Sequence, residues 1–238
     1  LARLDLSGTD DLGAEALQRR LYQLGTSIDT DCGADQTHIY LSGVDENLER
    51  MRSFLAHGDL AVADAAIVAD DDIDAMNLSL TERCYDLLAR ESPVASDLRF
   101  VVSVIRVLGE LERIGDLALR VVKVGGDWPL VRDHAAAYDI LLSMADTAVD
   151  LYRQALAAWS SQDLVAADHL ARSGRALDLA HEQLTRELLR FDGPTAVPAA
   201  LHSLVIGKAL DRIADHASII GSRLRYLITG DPAHLAAE

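Results

Sequence analysis

The stretch Glu112-Arg113-Ile114-Gly115-Asp116-Leu117-Ala118 decides the reading of this chain, because it returns 99 residues later as Asp211-Arg212-Ile213-Ala214-Asp215-His216-Ala217. Both copies read acid, Arg, Ile, small, Asp, any residue, Ala. Each sets two carboxylates four residues apart, on one face of a helix. Like charges at that spacing repel by about 0.2–0.5 kcal/mol in an isolated helix. A chain that repeats the arrangement gives each pair a partner, either a cation or a basic side chain.

Working outward, the duplication grows. Asp59-Leu60-Ala61-Val62-Ala63-Asp64 matches Asp163-Leu164-Val165-Ala166-Ala167-Asp168, and Asp74 matches Asp178 at the same offset of 104. A length difference in the proline-containing loops brings the offset down to 99 at the acidic motifs. By this register Val44 to His57 pairs with Ala148 to Ser161 as the first helix of each unit. The chain therefore reads as all-α, a tandem repeat of two three-helix bundles.

Apolar periodicity predicts helices over 59–89, from Pro93 to about Val124, over 133–160, from Asp163 to about Arg190, and over 198–227. Ser92-Pro93, Gly125-Gly126, Gly193-Pro194 and Gly230 punctuate them. A helix of about thirty residues is about 45 Å long, and it needs a partner to bury its apolar seam. We read 1–27 as an N-terminal extension, 28–126 as the first unit, 127–132 as a linker, 133–231 as the second unit and 232–238 as a tail. Glycines 33 and 43 predict an irregular or broken stretch before Val44. Trp128 is expected to pack across the two units and Trp159 within the second, while Met51, Met76 and Met144 read as core fillers.

Half of the 238 residues are hydrophobic, enough for a sizeable core, and only 5% are aromatic. The net charge of −16 disfavours nucleic acid, whose binding rests on neutralising phosphates with Lys and Arg. It suits cations or basic partner patches. Cys32 and Cys84 are too far apart in sequence for a CxxC site and form no disulfide framework, which fits a reducing cytoplasm. The stretch Phe100 to Leu108 is interrupted by Arg106, and no apolar run reaches bilayer-spanning length. We expect a cytoplasmic protein, peripheral to a membrane at most, whose first residues lack a signal-peptide pattern.

Four segments carry a family resemblance: Val68 to Asp74 (VADDDID), Pro93 to Arg99 (PVASDLR), Leu111 to Ala118 (LERIGDLA) and Leu210 to Ala217 (LDRIADHA), with the ending Tyr226 to Gly230 (YLITG). In order across a repeat, they resemble the PhoU family of bacterial regulators of phosphate uptake and phosphate signalling. The similarity runs over 44–231. It implies two three-helix bundles, metal ions held by the acidic motif on the third helix of each, and restraint of the phosphate-starvation response. It also implies a phosphate-specific ABC transporter and a membrane sensor histidine kinase as partners. A homodimer is plausible for long amphipathic helices of this apolar content.

The residues themselves suggest where metal would sit. Carboxylates are hard oxygen ligands. Asp70 and Asp74 are also four residues apart. If their helix runs antiparallel to that of Glu112 and Asp116, the four converge on one site. The second unit offers Asp178, Asp211 and Asp215, with Gly174 where the register places Asp70, so we expect weaker binding there. His216 and His181 are candidates for second-sphere or surface roles. The ion would be iron or zinc, with manganese or magnesium as further options. The plainer reading is a solvated face at Asp70 to Asp74, and salt bridges to Arg113, Arg212, Arg99 or Lys208 at the two motifs.

No Glu-x-x-His pair, glycine-rich phosphate loop or nucleophile elbow occurs, so a non-enzymatic regulator is expected. A metal-dependent hydrolase built on the carboxylates, or a metal-free helical interaction module, is the alternative.

Overall fold

The computed structural model describes residues 33–235, with side chains from Gly43 onward. The expected extension at 1–27, residues 28–32 and the last three residues lie outside that range. Eight α-helices follow in order: α1 (Gly33–His57), α2 (Leu60–Glu91), α3 (Ser96–Val122), α4 (Trp128–Arg132), α5 (Ala135–Ser161), α6 (Leu164–Ala171), α7 (Asp178–Leu188) and α8 (Ala196–Thr229). Short 3₁₀ turns precede α4, separate α6 from α7 and follow α8. The described residues contain no strand. The fold is all-α: α1, α2 and α3 form one bundle, and α5, α6–α7 and α8 form the second.

The same start signal opens the second helix of both units. Asp59 accepts from the Ala61 N–H at 2.9 Å, and Asp163 accepts from Val165 and Ala166 at 2.8 and 3.1 Å. Such caps satisfy donors that the first turn leaves free, and each contributes about 1 kcal/mol.

The third helices α3 and α8 carry the most buried residues and pack against each other, running antiparallel. Arg99 Nε donates to the Leu227 carbonyl at 3.1 Å at one end. His216 meets Glu110 halfway along at 2.7 Å, and His202 approaches Asp127 at 3.3 Å at the other end. Equivalent residues of the two repeats are thus related by a pseudo-two-fold axis passing near Arg113 and Arg212. A single continuous core runs through both bundles, from Val44 to Leu227.

Three expectations are corrected. Residues 33–43 continue α1 as helix. Gly43 is an approach point rather than an interruption, since a Cβ there would sit 3.1 Å from Ile73 Cγ1 on α2. The helix expected from Asp163 to Arg190 is broken at 172–177. There Ser173 Oγ donates to the Leu170 carbonyl at 2.7 Å, and Gly174 lies against Ser218. Pro93 stays outside α3, because Ser92 and Ala95 turn the chain through positive φ (44° and 51°) before the helix starts.

The expected linker at 127–132 instead folds: Asp127 closes a 3₁₀ turn from Gly125, and Trp128–Arg132 form the short α4, buried at Trp128 and Val131. The Trp128 ring lies 5.4 Å from Phe54 of α1 and 5.5 Å from Tyr138 of α5, as expected of a residue packed across the units. Trp159 is buried in the second unit. Tyr138 Oη donates to the Ala56 carbonyl at 3.0 Å. Gly58, at φ 70°, lets the indole close over it, since a Cβ there would stand 2.3 Å from Trp128 Cδ1.

Candidate functional site

The acidic motifs lie on α3 and α8 near the pseudo-two-fold, and the two copies differ. In the first unit, Asp116 sits on the solvent side of α3 and Asp70 and Asp74 on the adjoining side of α2. Burial raises the Asp70 carboxyl first, and the fields of Asp74 and Asp116 add to it, to about 6 despite Lys123. Asp74 is raised in the same way, by burial and then by Asp116 and Asp71. Helices α2 and α3 therefore do bring Asp70, Asp74 and Asp116 within each other's fields. Glu112 is exposed on the α3 turn before Asp116. Among the described residues no three carboxylate, His or Cys groups close into a ready metal cage.

The second unit answers its acids with bases. Lys208 Nζ meets the buried Asp211 at 2.5 Å, and Arg212 meets Asp215 at 3.3 Å. Asp215 is raised by burial and by Asp211, against the fields of Arg212, Lys208 and His216. Asp178 is exposed at the start of α7, just past the helix break. All-oxygen donors not held in ion pairs fit a hard cation at Asp70, Asp74 and Asp116, with Glu112 beside them. Asp211 and Asp215 fit one only if their ion pairs open.

Periodicity alone did not single out Glu110, which is 5% exposed on the buried stripe of α3 beside Leu111 and Ile114. A charge at a core position was the available signal. Burial pushes its carboxyl up, but the hydrogen bond and charge of His216, with Arg113 at 2.9 Å, outweigh that and leave it below the ordinary range. His216 is therefore occupied by Glu110 across the two units rather than turned to the aspartates of its own motif. The pair is specific to this contact: Ala209 stands at the position equivalent to Glu110, and Leu117 at that of His216. His181, on α7, faces Gly207 of α8, and its Nδ1 is buried.

Comparison with known proteins places this geometry. The PhoU domain family model matches twice, over residues 41–124 and 141–224. The phosphate-specific transport system accessory protein PhoU homolog of Rhizobium meliloti is 31% identical over 182 residues, 74% of this chain and 75% of that one. The protein of the same description from Deinococcus radiodurans is 29% identical over 166 residues, 68% of this chain and 76% of its own length. The crystal structure of PhoU from Pseudomonas aeruginosa superposes with a TM-score of 0.77 at 24% identity, covering 91% of this chain and 99% of that one. The Streptococcus pneumoniae phosphate transport system regulatory protein PhoU superposes with a TM-score of 0.73 at 25% identity, covering 90% and 98%. With both units matched and the acidic motif in each, the chain belongs to the PhoU domain family.

Proposed function

We propose that this chain is a non-enzymatic, cytoplasmic accessory protein of phosphate uptake. It restrains uptake and the phosphate-starvation response by docking on a phosphate-specific ABC transporter and its sensor histidine kinase. The supporting observation is the doubled acidic motif on the antiparallel central helices of a PhoU-family chain, whose relatives are named accessory proteins of the phosphate-specific transport system. No helix among the described residues is long and apolar enough to cross a membrane, and in this reading docking uses a peripheral surface. Asp70, Asp74, Glu112 and Asp116 would hold a divalent cation, expected as iron or zinc with manganese or magnesium as the options an all-oxygen donor set suits, which offsets their repulsion and fixes α2 against α3.

Deleting the gene in its own organism tests the regulatory reading. Phosphate uptake and a starvation-response reporter should both stay high in phosphate-rich medium, and unchanged values would refute it. Elemental analysis tests the cation. Protein purified without added metal should carry it, and Glu112→Ala/Asp116→Ala should lose it while Asp211→Ala/Asp215→Ala loses little. No bound metal, even after incubation with excess cation, would make these acids a plain repulsive face.

A further inference from the structure

Beyond the acidic motifs, the third helices share a second feature. The solvent face of α3 begins with Leu98, Val102 and half-buried Ile105, before the turn that carries Glu112 and Asp116. The equivalent face of α8 begins with Val197, Leu201 and Leu204, before Asp211 and Asp215. Apart from Ile105 these side chains are 39–70% exposed, and Val205 widens the second strip at 42%. Spacings of three and four residues align each set on one face. The two repeats differ elsewhere, yet both keep large aliphatic groups in water at the same positions.

An axis relating two antiparallel neighbours stands perpendicular to their common plane, so both strips open on the same side of the molecule. Arg99 lies opposite Leu227, so Val197 is thirty residues along α8 from the level of Leu98. At 1.5 Å per residue the outer ends of the strips are about 45 Å apart and the inner ends about 25 Å. Between them, near the axis, lie the exposed Glu112 and Asp116 with Asp70 and Asp74 beside them, and, toward the second strip, Asp211 and Asp215 held by Lys208 and Arg212. A second copy would bring its own net charge of −16 against this face.

Resting on the docking reading above, we propose that this face engages a two-fold-symmetric protein partner. Each of its copies seats apolar side chains on one strip, Leu98/Val102 or Leu201/Leu204, and Lys or Arg groups between them meet the exposed acids Asp74, Glu112 and Asp116. Repetition of the strips about one axis calls for repetition in the partner, and the net charge of −16 calls for its basic character.

The test measures affinity of the full chain for two probes, the phosphate transporter in lipid nanodiscs and the dimeric cytoplasmic core of the sensor kinase. Leu98→Asp/Val102→Asp and Leu201→Asp/Leu204→Asp should each weaken binding of the partner at least tenfold, and together abolish it. Val165→Asp, on a still more exposed aliphatic group of α6, should bind as wild type. Circular dichroism melting establishes that each variant folds. If wild type binds but one strip is dispensable, the two-fold match is wrong; if both are, the face is not the docking surface. Self-association that the strip variants abolish would assign the strips to a second copy and overturn the proposal. Failure of wild type to bind either probe would sink the docking reading and this inference together.

Discussion

Asp70 and Asp211 separate the two copies of the motif at the level of single residues. Asp211 is buried yet has Lys208 at 2.5 Å, whereas burial and then the fields of Asp74 and Asp116 push the Asp70 carboxyl up to about 6. Between the unfolded value of 3.8 and about 6 the folded chain holds that proton more tightly than the unfolded chain does. Stability therefore falls as pH rises through this window, and the penalty is complete above it. We predict that Asp70→Asn raises the melting temperature at pH 7, and that the gain shrinks below pH 6 and is absent below pH 3.8. A melting series across that range in metal-free buffer checks it, and a gain independent of pH would refute the cause given. The candidate acids and their spacing were legible in the sequence. Which of them had basic partners was not, because Lys208 and Arg113 look equally available on a helical wheel. Arg113 in fact turns to Glu110, a core carboxylate that periodicity had passed over.

The elements show the same limit in glycines. Helix period, caps and proline breaks located most helices, because those signals act within a turn or two of chain. Gly43 shows why the limit arises: a glycine that interrupts a helix and one that admits a neighbour have the same local sequence. Gly221 lies inside α8, where a Cβ would meet Leu170 Cβ at 2.7 Å and the Ala171 backbone nitrogen at 2.9 Å. Gly109 lies inside α3 with no neighbouring atom within 4 Å of the same position. Alanine should therefore act with opposite sign at the two sites. Gly221→Ala is expected to destabilise by about 1–3 kcal/mol through overpacking against α6. Gly109→Ala is expected to stabilise by about 0.5–1 kcal/mol through helix propensity. Urea unfolding of both variants decides this, and equal signs would contradict the packing described.

At the scale of the whole molecule, Trp128 joins the units. It is 3% exposed between Phe54 and Tyr138, beneath a glycine that leaves it room. Trp128→Ala should cost about 3–5 kcal/mol, as for other buried large aromatics. It should also split a single unfolding transition into two, observable by calorimetry; one unshifted transition would show that contacts other than Trp128 couple the units. Ion pairs from Arg153 to Asp45 and Glu49 and from Arg52 to Asp146 also cross from α1 to α5, but they are solvent-exposed and contribute at most about 1 kcal/mol each. By itself the sequence determined the all-α class, the tandem repeat, most helix limits and the family, since periodicity, caps and duplicated motifs are written along one chain. Only the tertiary structure decided that α3 and α8 lie antiparallel about a pseudo-two-fold, that one acidic motif is neutralised and the other is not, and that two aliphatic strips share one face. Those facts depend on which side chains meet across helices more than a hundred residues apart, such as Glu110 and His216, and no local pattern encodes such a meeting.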